Sequence, residues 1–267
     1  SGNVYLGDYE FYHIIFGGTG TVVATGSLTI YGDVTINNYF DAGPYTHYVY
    51  GNWTNNGTFV YNTSTIRFVG SGNILVSAGN FYHVIFACSG TVTASGTLYF
   101  YGDVTILNHF DAASYDHYVY RNWINNGTFV HGTSRIRFVG SQNLLLGTNN
   151  FYHVVFARTG TVTATGSLTI YGDLTITNHF DAGSFEHYLY GNWINNGIFV
   201  YGTSYVHFVG TVQQTIEGSN ETGFYRFRVN NPYGILLSRN ITVHHELVLV
   251  EGIITTGTWV FIIMPSG

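Results

Sequence analysis

Tyr31-Gly32-Asp33-Val34-Thr35-Ile36 sets an aromatic ring, a glycine and a carboxylate ahead of an alternating apolar and polar run. Alternation at period two, with β-branched side chains, reads as a strand buried on one face. The opening triplet returns at Tyr101-Gly102-Asp103 and again at Tyr171-Gly172-Asp173, so the chain repeats itself at a constant interval. Phe11-Tyr12-His13 recurs at 81–83 and 151–153, and Asn52-Trp53 at 122–123 and 192–193. A register this strict leaves no room for linkers and points to a single elongated repeat domain over 1–267. Its repeats run 1–70, 71–140 and 141–210, followed by a divergent, truncated copy at 211–267 in which Phe224-Tyr225 falls out of step through an insertion near 218–223.

A finer rhythm lies inside each repeat. Alternating runs end at Gly17, Gly32, Gly51, Gly70 and Ala87, dividing the repeat into four sub-units. Each sub-unit reads as one coil, with strands such as His47-Tyr48-Val49-Tyr50 and Thr65-Ile66-Arg67-Phe68-Val69. Asn55-Asn56-Gly57, Asn125-Asn126-Gly127 and Asn195-Asn196-Gly197 read as turns, where Asn and Gly tolerate positive φ. The fold class expected is all-β: a parallel β-solenoid (β-helix) of four imperfect repeats with about four coils each. An antiparallel sandwich or barrel competes through the Asn-Gly hairpin signal, but gives no reason for a recurring coil rhythm. At about 4.8 Å per coil, roughly 15 coils would make a rod about 70 Å long. Ile36, Val49, Ile66 and Phe68 would form its apolar column.

Composition excludes several functions. Charged residues make up 8% of the chain, all eight basic residues are Arg, and the net charge is −6; this is no polyanion-binding surface, so no nucleic-acid partner is expected. A content of 45% hydrophobic and 18% aromatic residues gives a chain that folds. Cys88 is the single cysteine and aligns with Gly18 and Arg158, so no disulfide framework is expected, and the variable position reads as a tolerant surface site. No apolar run reaches the roughly 20 residues of a membrane span, so no membrane insertion is expected. Abundant Thr, Asn, Gly and Tyr suit an extracellular or cell-surface location.

Two stretches, Tyr50-Gly51-Asn52-Trp53-Thr54-Asn55-Asn56-Gly57-Thr58-Phe59 and Ser167-Leu168-Thr169-Ile170-Tyr171-Gly172-Asp173-Leu174-Thr175-Ile176, resemble the β-strand-repeat segments of large secreted surface proteins of environmental bacteria. Asn230-Asn231 through Ile253-Ile254-Thr255-Thr256-Gly257 resembles the closing unit of such arrays. The resemblance spans essentially the whole chain and implies a β-helical, surface-exposed, non-enzymatic stalk, adhesin or matrix component. This chain departs from the family by placing Tyr, Phe or His where Thr, Ser or Asn is usual.

Few residues suggest chemistry. Asp41, Asp111 and Asp181 each precede a histidine by six residues, at His47, His117 and His187. Repetition favours scaffolding over a metal or acid–base pair, with the aspartates capping turns and the histidines half buried. Asp33, Asp103 and Asp173 invite comparison with β-helical polysaccharide lyases and hydrolases, yet a catalytic site normally breaks repeat symmetry. His244-His245-Glu246 is the densest unrepeated ionisable cluster and reads as a strand end. Thr21, Thr91 and Thr161 open Thr-Val segments too sparse for an ice-binding array. No catalytic, metal or cofactor site is expected.

The rows Tyr12, Tyr82, Tyr152 and Tyr48, Tyr118, Tyr188 would recur along one face and could stack on surface glycans. Asn52, Asn56, Asn62, Asn126, Asn220 and Asn240 open Asn-X-Ser/Thr acceptor patterns that permit glycosylation. Open strand edges are expected at Ser1, Gly2, Asn3 and Val4 and at Val260, Phe261, Ile262 and Ile263. Joined head to tail, they would form a homopolymer. The expected function is a structural subunit of an extracellular filament or stalk, with a carbohydrate-binding adhesin as the alternative.

Overall fold

The structure, a computed structural model, describes residues 2–264. Among them it contains strands and turns and no helix, and every strand pairing is parallel. The chain is a parallel β-solenoid and divides into two compact units, residues 1–134 and 135–267. That boundary falls inside the second sequence repeat.

In the first unit each turn uses three short strands. One side begins with Val4–Leu6, Val22–Ala24, Tyr39–Asp41 and Thr58–Val60, and is carried on by Gly79–Phe81, Leu98–Phe100 and Asp116–Val119. The second side is a seven-stranded sheet from Tyr9–Phe11 to Trp123–Asn125, and the third is another from Ile14–Phe16 to Thr128–Val130. The climb from one coil to the next is nearly constant, as the partners Val4 and Val22, Val34 and Trp53, and Val84 and Val104 show. It lengthens once in this unit, at the step from Trp53 to Val76.

The alternation supplies the core. Leu28, Ile30, Val34, Ile36, Val49, Ile66 and Phe68 are all buried, and rings stack from coil to coil, with Phe86 and Phe110 4.1 Å apart at 2°. The turn glycines serve close approach: a Cβ on Gly57 would lie 2.3 Å from the Asn38 carbonyl oxygen of the coil below, and one on Gly127 2.2 Å from that of Asn108. Neither has positive φ, so the expectation of left-handed backbone at Asn-Asn-Gly is corrected. Positive φ falls instead at Gly43 (57°), Ala113 (54°) and Gly183 (64°), after the Asp-Ala pairs.

Val34–Ile36 and its repeat equivalent Val104–Ile106 are eleven strands apart. With three strands per turn, one sequence repeat covers three and two-thirds turns, slightly under the four expected. Equivalent residues therefore move round by one side per repeat. Val34–Ile36 lies on the third side and Val104–Ile106 on the second.

The second unit repeats this three-sided plan up to Gly210, with Arg135–Phe138, Leu144–Leu146 and Asn149–Phe151 as its first turn. Beyond Gly210 the turns use two strands. Thr222–Asn230 and Ile241–Glu251 run long and pair with each other through register shifts between Phe224 and Arg226 and between Val229 and Asn230.

Candidate functional site

The recurring motifs meet at one kind of corner. In the first unit His13, Asp33 and Asn52 occupy the same corner of three successive coils, and each side chain accepts a backbone N–H from the coil above. Asp33 N–H donates to His13 Nδ1 (2.7 Å), Asn52 N–H to Asp33 Oδ1 (2.7 Å) and Leu75 N–H to Asn52 Oδ1 (2.8 Å). His83 and Asp103 repeat the pattern at 2.9 and 3.1 Å. His153, Asp173 and Asn192 repeat it in the second unit, each at 2.8 Å. Closely spaced glycines admit the coil above: a Cβ on Gly51 would lie 2.4 Å from the Gly32 carbonyl carbon. Because Nδ1 accepts an N–H, each of these rings carries its proton on Nε2 when neutral. The aspartates that resembled catalytic carboxylates thus hold backbone.

The second repeated pair is also structural. Asp41 Oδ1 accepts the Gly43 N–H (2.8 Å), closing the turn. His47, fully buried rather than half buried as expected, accepts the Leu28 N–H at Nδ1 (3.1 Å) and donates from Nε2 to the Ala42 carbonyl (2.8 Å). His117 and His187 do the same. Burial pushes all three imidazoles below the ordinary histidine value.

Cys88 corrects the sequence reading. It is buried, its thiol donates to the Gly72 carbonyl (2.8 Å), and burial pushes its pKa up. Arg158 at the equivalent position is buried too and donates from Nε to Gln142 O (2.8 Å). The loops at 70–73 and 140–143 cover both, a tertiary effect that substitution between repeats could not reveal.

The tyrosine rows also need correction. Tyr48 lies on the second side of the first unit and Tyr118 on the first, because the repeat is not a whole number of turns. Tyr12 and Tyr82 precede Ile14–Phe16 and His83–Phe86, strands on the third and second sides. Tyr152 and Tyr188 belong to the second unit. Rings instead meet between neighbouring coils, with Tyr99 and Tyr118 4.6 Å apart at 8°, and Tyr101 and Tyr120 4.6 Å apart at 23°.

The unrepeated cluster disperses. His244 stacks on Tyr201 (4.6 Å), His245 on Tyr225 (4.7 Å), and Glu246 lies 3.8 Å from Arg226. Among the described residues no group of three or more His, Cys, Asp or Glu could hold a metal ion, and no helix is long and apolar enough to cross a membrane. Of the acceptor asparagines, Asn56, Asn62, Asn220 and Asn240 donate their amides to Asn37, Asp41, Gly197 and Glu221. Asn52 is tied to Leu75, and Asn126 is exposed with Leu107 at the position of Asn37.

One corner is enlarged. In the second unit a groove of about 460 Å³ is lined by Tyr152, Tyr171, Tyr190, Asp173, Asn192 and Gln213. Behind it, Gln214 stands where the other repeats carry Ile74 and Leu144. It is buried, donates to Leu189 O (2.9 Å) and Gly191 O (2.6 Å), and accepts from Gly210 N–H (2.9 Å) and Asn231 Nδ2 (3.0 Å). Nothing in the sequence marks this groove except the loss of the Asn-apolar pair at 213–214.

The strand edges can be placed. Val4–Leu6 pairs with Val22–Ala24, and Phe261–Ile263 with Ile241–Glu251. Asn3 accepts a hydrogen bond from the Thr21 hydroxyl (2.6 Å), and Asn240 accepts the Val260 N–H (2.9 Å). Val4, Tyr5, Tyr12 and Ile15 are exposed at one edge; Ile253, Val260, Ile262 and Ile263 are exposed at the other. Gly2 is exposed, and Ser1 lies outside the described residues. No family model, no curated protein and no solved structure matches this chain.

Proposed function

We propose that this chain is a non-enzymatic structural subunit of an extracellular filament or cell-surface stalk, joined head to tail to further copies through its strand edges. The observation that carries this reading is the exposed apolar character of those edges, with Ile15 68% and Ile253 70% exposed. An unpaired apolar edge is a template for another strand, and a contact that does not close on itself propagates. The laced corners support the non-enzymatic part, since the repeated Asp, His and Asn side chains are spent on holding adjacent coils. The extracellular location draws on the composition, the acceptor asparagines and the resemblance to secreted repeat proteins.

Electron microscopy of the purified chain over a range of concentrations tests the reading. Uniform filaments are expected, shortened or abolished by Ile15→Lys or Ile263→Lys, which place a charge at an edge. Dispersed particles at every concentration would remove the assembly proposal.

A second reading, carbohydrate binding on aromatic surfaces, is favoured by a different observation: tyrosines of adjacent coils pair at corners, as Tyr31 with Tyr50 (5.2 Å) and Tyr171 with Tyr190 (5.1 Å).

A further inference from the structure

We propose that the groove beside Tyr171 and Tyr190 binds a neutral, hydroxyl-rich sugar chain; this rests on the carbohydrate-binding reading and narrows it to one place and one ligand class. Its volume of about 460 Å³ lies within the roughly 300–1,000 Å³ usual for small-molecule sites. Three tyrosines from successive coils line it, and two of them stack at 5.1 Å with 19° between planes. Such rings offer flat apolar faces with polar tips, suited to the C–H face of a pyranose.

The polar lining matches hydroxyl groups. Asp173 Oδ1 is held by the Asn192 N–H (2.8 Å), so the carboxylate is fixed in place and presents acceptors. Gln213 is exposed in the lining. The asparagines at its position in the other repeats are engaged, since Asn73 accepts the Thr91 N–H (3.0 Å) and Asn143 the Thr161 N–H (2.9 Å). The lining has one carboxylate, one imidazole (His153) whose Nδ1 accepts the Asp173 N–H, and neither Lys nor Arg, so an anionic sugar would find no permanent cation there. Gln214 and Asn231 make the floor rigid: both are fully buried, and Asn231 Nδ2 also donates to Val212 O (2.7 Å). A satisfied buried polar network specifies one local arrangement, which lowers the ordering cost of binding.

The test is calorimetric titration of the whole chain with neutral hexose oligosaccharides, alongside a sulfated oligosaccharide series. Neutral oligosaccharides should bind. Tyr171→Ala or Tyr190→Ala should weaken them about tenfold, Tyr171→Phe should keep most of the affinity, and Tyr31→Ala in the other unit should leave it unchanged. Val212 is 64% exposed at the groove, so Val212→Arg should block binding with the fold intact by circular dichroism. Binding indifferent to these groove changes would overturn the site and leave glycan recognition standing elsewhere. Equal loss in Tyr31→Ala would overturn its localisation, and preference for the sulfated series would overturn the ligand class. Binding to neither series would remove the inference and the carbohydrate reading together.

Discussion

In the strict repeats, side chains at the corners tie each coil to the next: His13, Asp33 and Asn52 accept three successive N–H groups, and the mainly apolar interior takes in one backbone-bound histidine per repeat, at His47, His117 and His187. Beyond Gly210 the turns use two strands, of which Thr222–Asn230 and Ile241–Glu251 run nine and eleven residues and pair through register shifts, and Gln214 is buried where the other repeats carry Ile74 and Leu144. Tight turns require polar caps at the periphery, because three bends per coil leave backbone donors that no ladder satisfies. Beyond Gly210 a buried amide pair, Gln214 with Asn231, does part of this work from inside, holding Gly191 O, Gly210 N–H and Val212 O.

Exchanging residues between the two regions should have the largest effect. Gln214→Leu restores the repeat's apolar residue but strands Gly191 O and Gly210 N–H, and takes one of two hydrogen bonds from Leu189 O and from the Asn231 amide. It should cost about 3 kcal/mol or more in denaturant unfolding. Ile74→Gln, the reverse exchange, buries an amide in an apolar interior and should cost a similar amount. A neutral Gln214→Leu would show that the buried network is not what distinguishes the two regions.

A second effect belongs to the strict repeats. His47, His117 and His187 are neutral and buried, with folded-state pKa values below the ordinary 6.5. The unfolded chain therefore binds more protons as the pH drops through that region. Their stabilising contribution is fully present above about pH 6.5 and is lost as the pH falls from there towards the lowered folded values. The urea midpoint should therefore decrease from pH 7.5 to pH 5, and His117→Gln should make that dependence shallower. A midpoint that held or rose over this range would contradict the burial.

The smallest effect compares one repeat with another. Ala113 adopts φ 54° at a turn where the neighbouring repeats have Gly43 and Gly183. A left-handed conformation costs a residue with a Cβ about 1–2 kcal/mol. Ala113→Gly should stabilise the chain by about 0.5–1 kcal/mol in the same unfolding assay, after the greater entropy of an unfolded glycine is subtracted. A loss of stability would mean that the Ala113 methyl packs usefully.

Much of this could be read from the chain before folding. The alternation around Asp33-Val34-Thr35-Ile36 and the recurrence of Asn-Trp and Tyr-Gly-Asp point directly to stacked parallel coils with Ile36, Val49, Ile66 and Phe68 inside, because side-chain alternation and ladder pairing are local properties of a strand. The lacing corner was only half legible. Spacing suggested that Asp41 caps a turn, but His13, Asp33 and Asn52 come from different coils and nothing in their sequence separation announces a shared corner. The burial of Cys88 and Arg158 was illegible, since it depends on loops arriving from the preceding coil.

The letters of the chain establish a repeating, all-β, parallel stack and the identity of its inward residues, since both follow from the two-residue alternation of a strand and from the return of the same motifs at a constant interval. The side on which each repeated residue emerges was settled only in three dimensions. Turn length varies, from the short step between Val4 and Val22 to the long one between Trp53 and Val76. Eleven strands divided among three sides leave a remainder, and that remainder carries Tyr48 and Tyr118 to different sides and leaves neighbouring coils, rather than neighbouring repeats, to bring the tyrosine rings together.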